Sequence, residues 1–383
     1  MKLLEYQAAE LFKKYGISVP KGVVIDDAST AVSAMGSVCL SFPAVLKAQV
    51  AAGGRGKAGG VLFVDSLIEA KNIINNMLFS NLLGFKVNKI LAVEKVKTEK
   101  EWYLSIMIDR TTGVPCVLFS SKGGIEIEET AKNDPDAIIN IPINPLIGPG
   151  RYISDYICSK SEIGMVYSEC MYDLIDRLYR LFSDNHCLLA EINPVVVCPG
   201  DKLTAVDGKI DIDDSALFRL PEIEAFRNQI DEPEQVTAAR ELGLLYIPLK
   251  KDARVGLISN GSGMLMNMMD MLSDEGIETA CALDMGGGAT CDRYCEAVRL
   301  IFSTPGVDIL FIYIFGGITR CDEVAEGVKN ALAGEIKNVI IRMEGTNKSE
   351  GMEITKHTPG VLQAGGITEG VKLVADKSRE VQR

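Results

Sequence analysis

The chain has 383 residues, with 40 Lys and Arg against 52 Asp and Glu, and a formal net charge of −12. With 47% hydrophobic and 24% charged residues, its composition is typical of a folded globular protein and excludes a disordered or fibrous chain. The acidic balance, without a dense basic run, argues against a nucleic-acid partner because phosphate backbones are held by clustered positive charge. The length predicts two or three domains.

Cysteine and histidine content narrows the chemistry further. Ten cysteines occur without a CxxC pair, which argues against a soft-metal site. Free thiols, and an N-terminus that does not read as a signal peptide, predict a cytoplasmic protein. The longest purely apolar stretch, Ile309 to Phe315, is far below the roughly 20 residues that cross a bilayer, so no membrane partner is expected. His186 and His357 have the contexts of capping or surface histidines.

The first predicted element is an amphipathic helix that begins near Leu4 and is stopped by Gly16. From there to about residue 130, short apolar strands broken by glycine turns predict an antiparallel sheet. The Pro- and Asn-rich residues 133–150 are expected to form a loop. A second helix has its apolar face within residues 171–182, and a hairpin follows, made of LLAEINPVVV, a CPGD turn and KLTAVDGK.

The pattern changes after a charged stretch at residues 231–235, and a linker is expected near residues 230–250. Beyond it, strand, glycine turn and helix repeat at βαβ spacing, which predicts a doubly wound parallel sheet. The segments ISNGSG, LDMGGGAT and IFGGIT each follow an apolar strand and precede a helix. They are either tight βα connections or an anion site beyond the carboxyl ends of the strands.

A glycine-rich segment, AAGGRGKAGG at residues 51–60, contains the cations Arg55 and Lys57. Glycines let backbone N–H groups approach an anion, so the segment is a candidate phosphate loop; the alternative is a hairpin tip with solvated cations. It matches neither GxxxxGK[ST] nor GxGxxG. Lys47, in the strand-like VLKAQ, is costly to bury alone, so it either reaches the surface or meets an anion such as a triphosphate.

The hairpin around residues 187–209 is the candidate metal site. Alternation along a strand places Glu191 and Asn193 on one face, and Asp207 can come alongside from the returning strand. Such oxygen donors suit Mg²⁺, although the alternative is an ordinary polar outer face. Glu94 and Glu101 lie near strand starts and could contact a sugar hydroxyl or an adenine amine, or could simply be solvated.

Taken in order, these segments resemble the β subunits of succinyl-CoA synthetase, or succinate–CoA ligase, of the ADP-forming type. The resemblance runs nearly end to end, through LEYQAAELFKKYGI, AGGRGKAGG, GGIEIEE, AEINP, SALFR, LDMGGGAT, FGGITRCD and RMEGTN. It implies an α/β and α+β chain, with an ATP-grasp domain of two subdomains over residues 1–235. A flavodoxin-like, doubly wound CoA-ligase domain is implied over residues 245–383.

The resemblance also implies a role for individual residues. In the nucleotide site these are the phosphate contacts Lys47, Gly54, Arg55 and Gly56, the base and ribose contacts Glu94 and Glu101, and the Mg²⁺ ligands Asn193 and Asp207. Glu191 matches a glutamate that orients a histidine of the partner α subunit, which is phosphorylated during the reaction. A second site, where phosphohistidine, carboxylate and CoA react, would include Asn260, Gly317, Ile318 and Thr319.

The implied activity is the reversible conversion of ATP, succinate and CoA to succinyl-CoA, ADP and phosphate. It requires an α subunit, which binds most of the CoA, in an αβ or α₂β₂ assembly. Pro20 favours ATP, without excluding GTP. The family's usual NGAGLAM and GGIVRC are NGSGMLM and GGITRC here, and the resulting Ser262 and Thr319 leave a related ligase, such as malate–CoA ligase, open. A non-catalytic nucleotide-sensing module is the other alternative.

Overall fold

The computed structural model describes residues 1–124, 127–230 and 232–381. Ile125 and Glu126 of the GGIEIEE motif, and Asp231 of the predicted linker, lie outside the described residues. The chain separates into two compact units, Met1–Asp231 (unit 1) and Glu232–Arg383 (unit 2). The domain limits of 1–235 and 245–383 stay predictions.

Unit 1 is built of short strands with helices between them. Its helices and strands are, in chain order, α1 (Glu5–Lys14), β1 (Gly22–Ile25), α2 (Ala31–Ser37), β2 (Ala44–Ala48), β3 (Val61–Val64), α3 (Leu67–Met77), β4 (Asn81–Leu82), β5 (Phe85–Lys86), β6 (Ile90–Glu94), β7 (Lys100–Ile108), β8 (Pro115–Ser120), α4 (Ile127–Asn133), β9 (Ile139–Pro142), α5 (Arg151–Lys160), α6 (Ser168–Asp184), β10 (Cys187–Cys198), β11 (Lys202–Ala205), β12 (Gly208–Ile212) and α7 (Pro221–Arg227).

Two larger antiparallel sheets and a small hairpin form this unit, which confirms the predicted sheet type. The four-stranded sheet has the order β1-β6-β2-β3. The six-stranded sheet has the order β11-β10-β7-β8-β9, with β12 paired to β10. The remaining pair, β4 and β5, is a hairpin of its own.

Residues 133–150 are not the uniform loop that their Pro and Asn content predicts. Within them β9 pairs with β8, and Ile139 and Ile141 are buried while Asn140 and Pro142 are exposed. This alternation of apolar and polar residues is the strand signal, and the turn-forming composition around it conceals a strand of only four residues.

The four-stranded sheet is covered on both faces. One face packs against α2 and α3, and Leu46 of β2 is buried there. On the opposite face, Val45 packs with Leu4 and Tyr6 from the first turn of α1 and its cap. Because side chains alternate along a strand, Lys47 lies on the same face as Val45, towards α1.

The predicted N-terminal helix is confirmed as α1. The backbone N–H of Leu4 donates to Oε1 of Gln7 at its start, and Gly16 follows its end with a φ of +75°. Helix α6 confirms the second predicted helix and packs on the six-stranded sheet, whereas the other helices of unit 1, α2 to α5 and α7, were not predicted. The largest fully buried side chains of this core include Phe12, Trp102, Leu104, Ile106 and Phe119.

Unit 2 alternates strands and helices, in the order predicted from the glycine turns. Its elements are α8 (Glu234–Glu241), β13 (Leu245–Pro248), β14 (Val255–Ser259), α9 (Ser262–Asp274), β15 (Thr279–Asp284), α10 (Cys291–Ser303), β16 (Ile309–Arg320), α11 (Cys321–Ala331), β17 (Asn338–Thr346), α12 (Lys348–Lys356), β18 (Val361–Gln363) and α13 (Ile367–Val381).

These strands form one sheet in the order β13-β15-β14-β16-β17-β18. The pairs from β15 to β18 are parallel, whereas β13 runs antiparallel to β15 at the edge. Helices α9 and α13 cover one face, and α10 and α11 cover the other. The predicted doubly wound parallel sheet is therefore confirmed, with an antiparallel edge strand added.

Candidate functional site

The glycine-rich segment is the connection between β2 and β3, so it is the turn of an antiparallel hairpin. Gly54 has a φ of +76°, a backbone conformation that favours glycine. A Cβ placed on Gly54 or Gly56 would meet no other atom within 4 Å, so this side of the turn is open. Of its two cations, Lys57 has a side chain that is 69% exposed, whereas Arg55 is only 14% exposed.

Lys47 is buried, and it meets an anion within the protein. Only 5% of the residue is exposed, and its Nζ donates hydrogen bonds to Oε1 of Glu5 (2.6 Å) and to the carbonyl of Val206 (3.0 Å). A buried ammonium group requires such partners because losing its hydration is costly. The alternative that Lys47 reaches the surface is therefore wrong.

Arg55 turns back from the glycine-rich turn towards Lys47. Its Nη1 donates to the carbonyl of Ala48 (3.0 Å), and its Nη2 lies 3.0 Å from Oε2 of Glu5 and 3.5 Å from Oδ2 of Asp207. Two cations and two carboxylates thus form one group, called here the charge cluster: Glu5, Lys47, Arg55 and Asp207. Its formal charges sum to zero.

Asp207 occupies the turn between β11 and β12. Its side chain is 35% exposed, yet protein crowds the carboxyl group, and Oδ1 accepts the N–H of Gly208 (2.8 Å). Burial, followed by the nearby Glu5 carboxylate, raises the pKa of Asp207 to about 6, while Lys47 and Arg55 act in the opposite direction. The ionised form of such a carboxyl group would be stabilised by a further positive charge beside it.

Glu5 was missed by the sequence analysis. It is 5% exposed and is the first residue of α1, where an acidic residue is commonplace and usually solvated. Its spacing of three and seven residues from the buried Ala8 and Phe12 places it on the apolar face of the helix. A carboxylate on an apolar face needs a cationic partner, and that was the available signal.

Asn193 lies next to the charge cluster at an irregularity of β10. The pairing of β10 shifts register between Ile192 and Val195, and the N–H of Asn193 donates to the carbonyl of Asp207 (3.2 Å). Oδ1 of Asn193 accepts the N–H of Gly124 (2.9 Å). The predicted approach of Asp207 to Asn193 therefore occurs, but from a turn and not from a paired strand.

Glu101 and Glu191 belong to the same neighbourhood. A Cβ on Gly124 would lie 2.6 Å from Oε2 of Glu101, so this carboxylate sits against the glycine that Asn193 holds. Glu191 pairs with Ser105 across β10 and β7, and the hydroxyl of Tyr103 lies 3.3 Å from its Oε2. Both glutamates thus lie on the sheet that carries Asn193.

Glu94 lies on the four-stranded sheet, away from the sheet that carries Asn193, and at the end of a strand where a strand start was predicted. It is the last residue of β6, its backbone N–H donates to the carbonyl of Lys21 (2.9 Å), and it pairs with Ala44. Ala44 belongs to the core under α2 and α3, on the face opposite Lys47. Within the described residues, no hydrogen bond or ion pair joins Glu94 to the charge cluster.

A cavity of about 140 Å³ adjoins the charge cluster. Its lining combines charged side chains, among them Glu5 and Asp207, with apolar ones such as Pro20, Leu91 and Val93. Across the described part of the chain, no cluster of three or more His, Cys, Asp or Glu side chains has the arrangement of a metal site. The ten cysteines are free thiols.

In unit 2, the predicted second site lies at the carboxyl ends of β14 and β16. Residues 315–319, predicted as part of a glycine turn, lie within β16, where its pairing with β17 shifts register between Gly316 and Arg320. Asn260 braces this segment: its Oδ1 accepts the N–H of Phe315 (3.1 Å), and its Nδ2 donates to the Phe315 carbonyl (2.9 Å) and to Oγ1 of Thr319 (3.0 Å). Thr319 is 1% exposed, and its Oγ1 also accepts the N–H of Gly288 (3.4 Å). The three glycine turns thus meet at one hydroxyl group.

The neighbouring residues at this end of β16 are more open. Ile318 is 82% exposed, and the carbonyl of Gly317 accepts a hydrogen bond from Oγ1 of Thr346 (2.7 Å). Ser262 donates its hydroxyl to Oδ2 of Asp284 (2.5 Å) at the start of α9. The hydroxyl groups of Thr319 and Ser262, which left the acid open, are both engaged within the protein.

Among the residues that the structure describes, no hydrogen bond or ion pair joins either histidine to a predicted site residue. His186 joins α6 to β10, and His357 is a 69% exposed side chain whose Nε2 lies 2.9 Å from Oε1 of Glu353. None of the helices in the described part of the chain combines the length and the apolar character that a bilayer crossing requires.

Comparison with known proteins agrees with the two-unit architecture. A family model described as an ATP-grasp domain matches residues 2–197, and one described as CoA-ligase matches residues 258–378. The solved structure of ATP citrate lyase from Methanothrix soehngenii, in complex with citrate and coenzyme A, matches with a TM-score of 0.75. At 18% identity, over 98% of this chain and 99% of that one, this likeness shows the fold alone.

Curated relatives are much more similar in sequence. The "Succinate--CoA ligase [ADP-forming] subunit beta" of Desulfatibacillum aliphaticivorans is 39% identical over 92% of this chain and 93% of its own length. The "Succinate--CoA ligase [ADP-forming] subunit beta 2" of Archaeoglobus fulgidus is 38% identical over the full length of both chains. The chain therefore belongs to the family of ADP-forming succinate–CoA ligase β subunits.

Proposed function

We propose that this chain is the nucleotide-binding β subunit of a succinate–CoA ligase. With an α partner it would interconvert ATP, succinate and CoA with succinyl-CoA, ADP and phosphate. The observation that carries the proposal is the charge cluster, in which Lys47 and Arg55 are held beside the open glycine turn of an ATP-grasp unit. The succinate named for the relatives favours this acid over malate.

Lys47 and Arg55, with the backbone of Gly54 and Gly56, would bind the nucleotide phosphates. Two unit charges about 4 Å apart interact by roughly 4 kcal/mol at an effective dielectric constant near 20, so contact with a cation outweighs the diffuse repulsion of an acidic protein. Part of this attraction is offset by Glu5 and Asp207, which pair with the same two cations. The cavity beside Pro20 adjoins the charge cluster through Glu5 and Asp207, and its apolar side chains, such as Leu91 and Val93, offer a surface where a base could lie. Contacts of Glu94 and Glu101 with base and ribose stay predictions.

Asn193 and Asp207 would bind Mg²⁺. Their side chains offer an amide and a carboxylate oxygen from adjacent backbone, and this donor set fits an ion that takes few protein ligands and fills its shell with water and phosphate. When bound, the ion neutralises charge that develops on the phosphate oxygens. Asp207 would then exchange its contact with Arg55 for the metal.

The phosphoryl group would pass to a histidine of the α subunit, because within the described residues neither His186 nor His357 makes a hydrogen bond or an ion pair with the charge cluster. Glu191, on the sheet beside Asn193, would orient that histidine. Asn260 and residues 317–319 would form part of the second site, where the helix following the glycine turn favours an anion. CoA would be bound mainly by the partner, in an αβ or α₂β₂ assembly.

The test is a phosphoryl-transfer assay on the purified complex. With γ-labelled ATP, the α subunit should acquire an acid-labile, base-stable label, and adding succinate and CoA should discharge it. The chain alone should bind ATP without turnover. Full turnover by the isolated chain, or ATP binding without any transfer to the partner, would overturn the proposal; the second result is the one expected of a nucleotide-sensing module.

A further inference from the structure

Glu5 is a buried carboxylate to which the proposed reaction gives no role. Its side chain is 3% exposed, and α1 holds it by packing: Leu4 and Tyr6 on either side of it contact the four-stranded sheet. A carboxylate is buried at this cost only where cations compensate it. The two cations that do so are those proposed to bind phosphate.

Each oxygen of Glu5 faces a different cation. Oε1 accepts a hydrogen bond from Lys47 (2.6 Å), and Oε2 lies 3.0 Å from Nη2 of Arg55. The contact with Arg55 is an ion pair without hydrogen-bond geometry, and among the described residues Oε2 accepts no hydrogen bond. Glu5 therefore holds Lys47 firmly and Arg55 more loosely.

Both cations keep hydrogen-bond donors that the charge cluster does not use. An ammonium group has three donors, and Glu5 and the Val206 carbonyl occupy two of those of Lys47. Arg55 keeps donors beyond those that point to Ala48, Glu5 and Asp207. A phosphate that binds these remaining donors shares the positive charge of Lys47 and Arg55 with the carboxylate of Glu5, which is in contact with both.

We propose that Glu5 is a resident counter-ion of the nucleotide site. It keeps Lys47 and Arg55 in place when no nucleotide is bound, and its negative charge opposes the phosphates, so that nucleotide is held less tightly and leaves faster. A reversible enzyme gains from this, because binding substrate and product equally tightly does not speed the chemical step. The inference rests on the proposed role of Lys47 and Arg55 as phosphate ligands.

The test compares the wild-type complex with Glu5→Gln, which removes the charge and keeps an oxygen for Lys47. By titration calorimetry, Glu5→Gln should bind Mg–ADP and Mg–ATP about tenfold more tightly. In turnover, KM for ATP and kcat should both fall, because product release becomes slower. The control Glu169→Gln changes an exposed acidic residue in the first turn of α6, and should leave nucleotide affinity, KM and kcat unchanged.

If Glu5 has a purely structural role, the Glu5→Gln complex should show a higher KM for ATP, not a lower one. Unchanged or weaker nucleotide binding by a folded Glu5→Gln complex would therefore overturn the inference. If Glu5→Gln does not fold, Lys47→Met is compared with the double variant Glu5→Gln/Lys47→Met, in which no buried charge loses its partner at this pair. The double variant should bind Mg–ATP more tightly than Lys47→Met alone, and equal or weaker binding would overturn the inference.

These outcomes separate the inference from the proposed function. If Lys47→Met binds Mg–ATP as well as wild type does, Lys47 is not a phosphate ligand and the proposed function itself fails. If Lys47→Met loses binding while removal of the Glu5 charge does not improve it, only the counter-ion role of Glu5 fails.

Discussion

The two units build their candidate sites from different kinds of polar group. In unit 1, the charge cluster joins Lys47 and Arg55 to two carboxylates, and most of this charge is buried. In unit 2, neutral groups do the bracing: the amide of Asn260, the hydroxyl of Thr319 and backbone atoms of the glycine turns. Buried charges interact strongly, and removing one partner leaves the other charge buried without compensation, which is strongly destabilising. Neutral hydrogen bonds contribute only about 1 kcal/mol each to the free energy of unfolding. Substitutions should therefore have large, coupled effects in unit 1 and smaller ones in unit 2.

The largest effect is expected from Lys47→Met. It removes a phosphate ligand and leaves Glu5 buried without its closest cation, so the free energy of unfolding should fall by about 3–5 kcal/mol. ATP-dependent phosphorylation of the partner should fall by about 10³-fold. The matched change Lys57→Met, at the exposed cation of the same hairpin, should alter neither, and equal effects of the two variants would contradict the assignment.

Asp207→Asn should come next. It keeps the shape of the side chain but removes the carboxylate proposed to bind Mg²⁺, so the affinity for Mg–ATP should fall by about 10²-fold while the fold persists. Titration calorimetry at several Mg²⁺ concentrations measures this. Asp201→Asn, in the exposed turn between β10 and β11, is the control. Unchanged Mg²⁺ dependence in Asp207→Asn would remove Asp207 from the metal site.

In unit 2, Thr319→Val removes the hydroxyl that accepts from Asn260 and Gly288 while keeping the volume. Two donors then lose an acceptor, so we expect a loss of about 1–3 kcal/mol in unfolding free energy. We expect kcat/KM for the acid to fall by about tenfold. Thr319→Ser should retain both values, and Mg–ATP affinity should be unaffected. Calorimetry measures the unfolding free energy and the Mg–ATP affinity, and steady-state kinetics measure kcat/KM. A change in Mg–ATP affinity would show that the hydrogen-bond network around Thr319 is coupled to the nucleotide site.

The smallest effect is expected from Ser262→Ala. The hydroxyl of Ser262 donates a hydrogen bond to Asp284 near the surface. Removing this hydroxyl should therefore change KM for succinate by less than about threefold. Activity with malate should stay low in both proteins. A large gain or loss of malate activity, measured in a substrate panel, would show that Ser262 contributes to the choice of the acid substrate.

Sequence reasoning recovered elements whose signal is local. The glycine turns of unit 2 predicted its parallel sheet, and the apolar period predicted α1 and α6. It identified Lys47, Asn193 and Asp207 as unusual polar residues, because each interrupts an apolar strand or hairpin. It did not find the partners that decide their state, since Glu5 meets Lys47 only after α1 packs across the four-stranded sheet.

The same limit applies in unit 2. The three glycine turns were visible as separate motifs, but their junction at Thr319 depends on the strand order of the sheet. The sequence also did not show that the Thr319 hydroxyl, which is predicted to lie near the acid, is buried and hydrogen-bonded within the protein. The strand β9 escaped notice because its four residues lie within a Pro- and Asn-rich stretch.

The most direct test of the central claim is a structure of the complex with the partner subunit, Mg²⁺ and a non-hydrolysable ATP analogue. The phosphates should lie within about 3 Å of Nζ of Lys47 and of the Arg55 guanidinium, with the metal between Asn193 and Asp207. Phosphates bound elsewhere, with Lys47 and Arg55 still paired only to Glu5 and Asp207, would contradict the account.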